Sequence, residues 1–361
     1  MRVLSIFGTR PEAIKMAPVV RALARHRGVQ SVVCVTAQHR QMLDQVLELF
    51  DITPDIDLNL MTANQGVGDF AATALAAINR VLDDVRPDVV LVQGDTTTAS
   101  MGALAAFYRR IPVGHIEAGL RTNDPENPFP EEINRRLADV VSRYHFAPTR
   151  ASADALRREG YRAKSIHVTG NTVVDALQFM VAHTKGVALP AAKPGEKLVV
   201  VTSHRREAFG EPLRRICQAL LDVSAKRRDV RFVYPVHLNP NVRGPVHELL
   251  GNHPRIELIE PLAYDAFVRL MSQAALIVTD SGGIQEEAPA LGVPVVIIRD
   301  KTERGEAVAA GAARLAGTTT AGIVRAVLAE LKRTRRVKRN VFGDGRASDR
   351  IVKILVAGRR R

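Results

Sequence analysis

Short apolar runs alternate with longer amphipathic stretches along almost the whole chain. Val3 to Phe7, Ser31 to Thr36, Val89 to Val92, Val113 to Ile116, His145 to Pro148 and Ile166 to Gly170 read as strands. Runs this short and this continuously apolar fit strands covered on both faces, as in a parallel sheet. Between them lie helical stretches: about Pro11 to His26, the stretch carrying Gln38, His39 and Gln41, residues 69–85, an alanine-rich segment after Thr98, and one with Glu131 and Glu132 in its first turn. Residues 184–197, TKGVALPAAKPGEK, have no helical apolar period and hold two prolines and two glycines, so they read as a linker. The alternation then restarts with Leu198 to Thr202, Arg231 to Val236, Ile256 to Ile259, Leu276 to Val278 and Val293 to Ile298. Strands alternating with helices predict parallel, doubly wound sheets. Two successive α/β domains are expected, residues 1–184 and 185–345.

The stretch 276–298, LIVTDSGGIQEEAPALGVPVVII, is the clearest single unit: strand, glycine turn, helix, strand. Gly282 and Gly283 let a ligand approach the backbone, since no Cβ stands in the way. A helix start with free N–H groups beyond them suits a diphosphate. Glu286 and Glu287 would repel one unless a carboxylate turns away to hold something else, such as ribose hydroxyls. A plain α/β turn with an acidic first helical turn is the alternative reading.

A length of 361 residues exceeds what one core usually fills, in keeping with two domains. Aromatic content is 4% with no Trp, which argues against a base-stacking nucleic-acid platform. The net charge of +13 sits largely in 332–339 and in Arg359 to Arg361, and such runs are commonly solvated faces and tails. Cys34 and Cys217 match no metal or redox spacing and read as small buried hydrophobes in a reducing compartment. The amino-terminal apolar run meets Arg10 and Glu12 at once, too early for a signal peptide, and no run suits a membrane span. A cytoplasmic enzyme without membrane or nucleic-acid partners is expected.

Ligands of doubly wound sheets bind beyond the carboxyl ends of the strands. Arg10, Asp95 and Glu117 follow strands there, and His204 follows one in the second half. A cleft between the domains is the default site. Gly8-Thr9-Arg10-Pro11 opens a helix, yet matches neither a dinucleotide fingerprint nor a P-loop. Asp95, Glu117, Glu131 and His204 offer the acids and bases that proton abstraction and return require. Each, taken alone, is equally a cap or an ion-pair member. The histidines show no metal-ligand spacing, and no metal is expected.

FGTRPEAIKMAP (7–18), GDTTT (94–98), HIEAGLRT (115–122), PFPEEINRR (128–136), TGNTVVDAL (169–177), TSHRRE (202–207), PVHLNP (235–240), DSGGIQEEAPALG (280–292) and GDGRASDRIV (343–352) resemble, in order, the motifs of the non-hydrolysing UDP-N-acetylglucosamine 2-epimerases. The resemblance implies a GT-B-like fold of two Rossmann-type domains with a central cleft, and a last helix in 346–361 crossing back to the first domain. It implies inversion at C2 of UDP-N-acetylglucosamine to UDP-N-acetylmannosamine, by anti elimination of UDP to 2-acetamidoglucal and syn re-addition, with no cofactor. By motif, Asp95, Glu117, Glu131 and His204 form the catalytic group. Arg10 and Lys15 would hold the diphosphate, and Ser281, Gly282 and Gly283 a phosphate. Glu287 would hold ribose, Leu262 and Phe267 would frame uracil, and Arg304 would reach the nucleotide. Gln38, Gln41, Arg205 and His237 match the surroundings of a second UDP-N-acetylglucosamine, which acts as activator in bacterial members. A homodimer is also implied. The chain departs from the pattern at Lys301-Thr302-Glu303-Arg304-Gly305, where the family has Thr-Thr-Glu-Arg-Pro, and in the loop Met61 to Asp69. A 2-epimerase of another UDP-2-acetamido sugar and a GT-B glycosyltransferase are the alternative functions.

Overall fold

The computed structural model describes residues 1–37, 40–62, 65–183, 189–302, 304–333, 337 and 340–358. The chain divides into two units, Met1–Ala176 with Phe342–Arg361, and Leu177–Val341. Most of the 332–339 run and the start of the 184–197 segment lie outside the described residues, as do Arg359 to Arg361.

The first unit runs β1 (Arg2–Phe7), α1 (Arg10–Arg25), β2 (Gln30–Val35), α2 (Arg40–Leu49), β3 (Ile56–Asp57), α3 (Val67–Val85), β4 (Val89–Gln93), α4 (Thr97–Tyr108), β5 (Val113–Ile116), α5 (Glu131–Val141), β6 (Tyr144–Ala147), α6 (Arg150–Arg158), β7 (Ile166–Val168) and the start of α7 (Thr172–His183), whose residues from Leu177 on belong to the second unit. Among the described residues its sheet has the order β3-β2-β1-β4-β5-β6-β7, with parallel pairing throughout. Leu4, Ile6, Val90 and Val92 pack against Phe70, Ala74 and Ile78 of α3 and Ala99 and Ala103 of α4. Chain order reverses between β1 and β4, so their carboxyl ends form the switch point where such sheets leave a crevice.

The second unit runs β8 (Lys197–Thr202), α8 (Glu211–Lys226), β9 (Val230–Pro235), α9 (Pro240–Leu250), β10 (Ile256–Ile259), α10 (Tyr264–Gln273), β11 (Leu276–Thr279), α11 (Ile284–Ala290), β12 (Val295–Ile297), α12 (Gly305–Ala309), β13 (Ala313–Leu315) and α13 (Thr320–Leu331). The sheet order is β10-β9-β8-β11-β12-β13, again all parallel, with its switch point between β8 and β11. Val199, Val201, Val278 and Val296 pack under Leu213, Ile216 and Leu220 of α8 and Ile323 and Val327 of α13. The last helix, α14 (Ala347–Gly358), belongs to the first unit. The Asp175 carboxylate caps it, accepting from the Ala347 and Ser348 amides at 3.2 and 2.8 Å.

The hydrophobic pattern overextends some strands. The run Val293 to Ile298 shrinks to Val295–Ile297, because Gly292 turns at φ 76° and Pro294 has no N–H for the ladder. Strands β3 and β13, of two and three residues, are too short to show a period. Cys34 and Cys217 are fully buried free thiols, each pushed up to about 12 by burial first of all. Among the described residues no helix is long and apolar enough to cross a membrane.

Candidate active site

At the first switch point the turn after β1 is tied to the turn after β4 by a buried glutamate. Thr9 caps α1 in a capping box: its side chain accepts from the Glu12 amide, while Glu12 Oε2 accepts from the Thr9 amide at 2.8 Å and the Gly8 amide at 3.1 Å. Oε1 of Glu12 accepts from the Thr96 hydroxyl at 2.6 Å. Burial raises the Glu12 pKa despite these donors. The box places half-buried Arg10 as the first residue of α1 and Lys15 a turn further on. The Lys15 ammonium lies 2.5 Å from Glu117 Oε2, which also accepts from the Gln93 amide group. Glu117 is 8% exposed and sits at φ 71°, a left-handed conformation that a bulky residue adopts only where its surroundings enforce it. Such strain clusters at functional positions.

Helix α5 completes this edge. Asn134 bonds Ser100 of α4 at 3.1 Å, and Arg135 forms an ion pair with Asp95. Glu131 stands one turn before Arg135, and its Oε2 is buried without a hydrogen-bond partner. Beneath lies a buried charge network. Asp139 receives His115 Nδ1 and Arg121 Nη2, both at 2.7 Å, and His115 Nε2 meets the Gly94 carbonyl at 2.7 Å. Both acceptors can be satisfied at once only by a ring carrying two protons. Burial opposes that charge, but Asp139 and the Gly94 carbonyl hold the His115 pKa above its ordinary value. Asp139, despite burial, is held low by His115 and Arg121.

At the second switch point the loop after β8 and the turn after β11 share one carboxylate. Asp280 is 1% exposed, and its Oδ2 accepts from Ser203 Oγ at 2.9 Å and from the amides of His204 and Arg205 at 2.9 and 3.0 Å. Ser281, Gly282 and Gly283 follow directly. A Cβ on Gly282 would meet Arg304 Nη1 at 3.0 Å, so the guanidinium lies against the glycine turn. Arg304 Nε donates to Glu286 at 2.9 Å. Of the two acidic residues in α11, Glu286 is buried and paired with Arg304, and Glu287 is half-buried.

The first edge therefore brings together Arg10, Lys15, Asp95, Glu117 and the α5 start bearing Glu131. The second gathers His204, Arg205, Ser281, Gly282, Gly283, Glu287 and Arg304. His237 stacks on His204, with ring centroids 6.0 Å apart. Leu262 lies in the loop before α10 and Phe267 on that helix, both half-buried. Gln38 lies outside the described residues, and of Gln41 only its place in α2 is described. Glu12, Gln93, Arg135, Asp139 and Asp280 escape the sequence reading. Only Glu12 carried a local signal, the Thr-x-x-Glu box at the head of a helix.

Two doubly wound parallel sheets with polar residues gathered at both switch points define a GT-B-like α/β protein. The glycosyltransferase of kitacinnamycin shares this fold at a TM-score of 0.67 and 17% identity, over 98% of both chains. The particular lineage is set by sequence: the chain belongs to the UDP-N-acetylglucosamine 2-epimerase family, whose model matches residues 21–356. The UDP-N-acetylglucosamine 2-epimerase of Escherichia coli O157:H7 is 52% identical over 98% of both chains. The crystal structure of UDP-GlcNAc 2-epimerase from Neisseria meningitidis bound to UDP-GlcNAc is 47% identical, at a TM-score of 0.91, covering 99% of this chain and 100% of that one.

Proposed function

We propose that this protein interconverts UDP-N-acetylglucosamine and UDP-N-acetylmannosamine. A base takes the C2 proton while the C1–O bond breaks, its electron pair leaving with UDP and a C1–C2 double bond forming. Anti elimination thus gives 2-acetamidoglucal. Syn re-addition of UDP to C1, with a proton delivered to C2, completes the inversion. Balance requires an acid, a base and a stabilised leaving group. The observation that carries this reading is the first switch point, where Arg10 and Lys15 stand with Asp95 and Glu117 on one sheet edge. Cations there would stabilise the departing diphosphate. Glu131, with a buried oxygen free of partners, is the group we assign to the C2 proton. The glycine turn at Ser281 to Gly283, with Arg304 beside it, would hold the nucleotide phosphates. In support stand the relatives of this family, one of them with UDP-GlcNAc bound.

The test is a product assay with purified protein and UDP-N-acetylglucosamine. UDP-N-acetylmannosamine should accumulate to equilibrium, and Glu131→Gln should lower kcat by about a hundredfold or more. Release of free sugar and UDP as the sole products would contradict the proposal.

The same reading includes a homodimer. Ile133, Leu137 and Val140 of α5 are 41%, 44% and 69% exposed at helical spacing, beside Phe107 and Tyr108 at the end of α4, 52% and 64% exposed. An apolar stripe of this kind on a helix that also carries Glu131 suits burial against a second copy. Leu137→Asp should convert the dimer to monomer in light scattering. A monomeric wild-type protein would refute this part.

A further inference from the structure

The loop that carries His204 is held by one buried carboxylate whose two oxygens do different things. Oδ2 of Asp280 collects three donors, Ser203 Oγ and the amides of His204 and Arg205, at 2.9 to 3.0 Å. Oδ1 is buried and makes no hydrogen bond of its own. It lies 3.3 Å from Nδ1 of His204. A buried carboxylate oxygen with no partner is costly, and the imidazole Nδ1–H is the donor within reach. A ring that gives its Nδ1 proton to a carboxylate keeps Nε2 for other work. The His204 side chain is 44% exposed, so Nε2 is open to a ligand. The neighbouring ring is arranged the opposite way: His237 Nδ1 accepts from the Asn239 amide at 3.2 Å, which places any proton of neutral His237 on Nε2. Burial and the proximity of His204 lower the His237 pKa, in agreement with a neutral ring. His237 stands beside the His204 ring, with centroids 6.0 Å apart, and Asp280 Oδ1 faces its Nδ1 at 3.3 Å.

We propose that Asp280 is the positioning residue of His204. It fixes the ring with its proton on Nδ1 and Nε2 directed to the substrate, and it ties the His204 loop to the phosphate turn at Ser281 to Gly283. This rests on the reading of His204 as a group that acts on the bound nucleotide sugar. The residue needs no contact with substrate, because it acts through the imidazole. Its place is set by topology: β8 and β11 are neighbours in register from Leu276↔Val199 to Thr279↔Thr202, so the residues just past their ends meet.

Two substitutions separate positioning from mere anchoring. Asp280→Asn keeps an oxygen for the three Oδ2 donors and puts an amide N–H against Nδ1, which forces the His204 proton to Nε2. Asp280→Ala removes both functions. With Asp280→Asn we expect a thermal midpoint near that of the wild type, KM for UDP-N-acetylglucosamine within about threefold, and kcat down by about a hundredfold or more, as expected when an imidazole that acts on the substrate is held in the wrong tautomer. In 15N spectra of histidine-labelled protein, the His204 signals, assigned with His204→Asn, should show Nδ1–H in the wild type and Nε2–H in Asp280→Asn. Wild-type kcat in Asp280→Asn, a loss confined to KM, or an unchanged tautomer would overturn the proposal. Should the wild-type protein itself fail to epimerise, the functional reading falls, and the tautomer measurement still decides whether Asp280 positions His204.

Discussion

Replacing Asp139 with Asn tests the charge network beneath the first switch point. The side chains of His115, Asp139 and Arg121 are 0%, 0% and 4% exposed, and the carboxylate bridges the two cations at 2.7 Å each. Removing one member of a buried ion pair costs about 3–5 kcal/mol, because the partner's charge is left uncompensated. Here the amide oxygen can still accept from His115 Nδ1, and Arg121 keeps Glu159 at 2.7 Å, so the lower end applies, about 3 kcal/mol. For a unit of roughly 150–250 residues that is a fall of about 6–12 °C in the unfolding midpoint. The cost also depends on pH. Asp139 titrates lower in the folded protein than free aspartate, so its contribution is present above the ordinary carboxylate value and lost as pH falls through the folded one. His115 titrates higher when folded, so its contribution is full below about 6.5 and lost as pH rises through the raised value. The gap between wild type and Asp139→Asn should therefore be widest between those windows, near pH 5.5, and narrow toward pH 9. Urea denaturation across that range measures it. A gap under about 1 kcal/mol near pH 5.5, or one that widens with rising pH, would refute the claim that a buried imidazolium is held there.

Glu12→Ala strips the Gly8 and Thr9 amides of their acceptor and should cost about 2–4 kcal/mol in urea denaturation, with a matching loss of activity through Arg10 and Asp95. Gly119→Ala should destabilise by at least about 2 kcal/mol, since the glycine has φ 85° and a Cβ would lie 2.3 Å from the Ser152 carbonyl oxygen; soluble protein with an unchanged midpoint would contradict this. Neither cysteine should react with iodoacetamide at pH 8 in the native protein, and both should react after denaturation, because each thiol is buried and pushed up to about 12.

The edge positions were legible because a parallel sheet fixes where polar residues must go. Once Val3 to Phe7, Val89 to Val92 and Val113 to Ile116 read as buried strands, Arg10, Asp95 and Glu117 had to follow their carboxyl ends. The glycine pair at 282–283 was legible for the same reason. What the sequence hid is the second layer that holds these side chains. Thr96 finds Glu12 across 84 residues, His115 finds Asp139 across 24 and Ser203 finds Asp280 across 77. No local period encodes such pairs, since they exist only after strand order has brought the turns together. Glu286 illustrates the difference at short range. In sequence the acidic pair reads only as repelling a phosphate unless one carboxylate turns away, such as to ribose hydroxyls. The structure pairs Glu286 with Arg304, eighteen residues on, a partner that no local pattern announces.

The central claim is that the protein breaks and remakes the C2–H bond of a UDP-sugar. Proton NMR of the purified protein with UDP-N-acetylglucosamine in deuterated water tests it most directly. The account predicts deuterium at C2 in both the remaining substrate and a growing fraction of UDP-N-acetylmannosamine. Formation of UDP-N-acetylmannosamine with the C2 proton retained would contradict it, as would an inert UDP-N-acetylglucosamine sample.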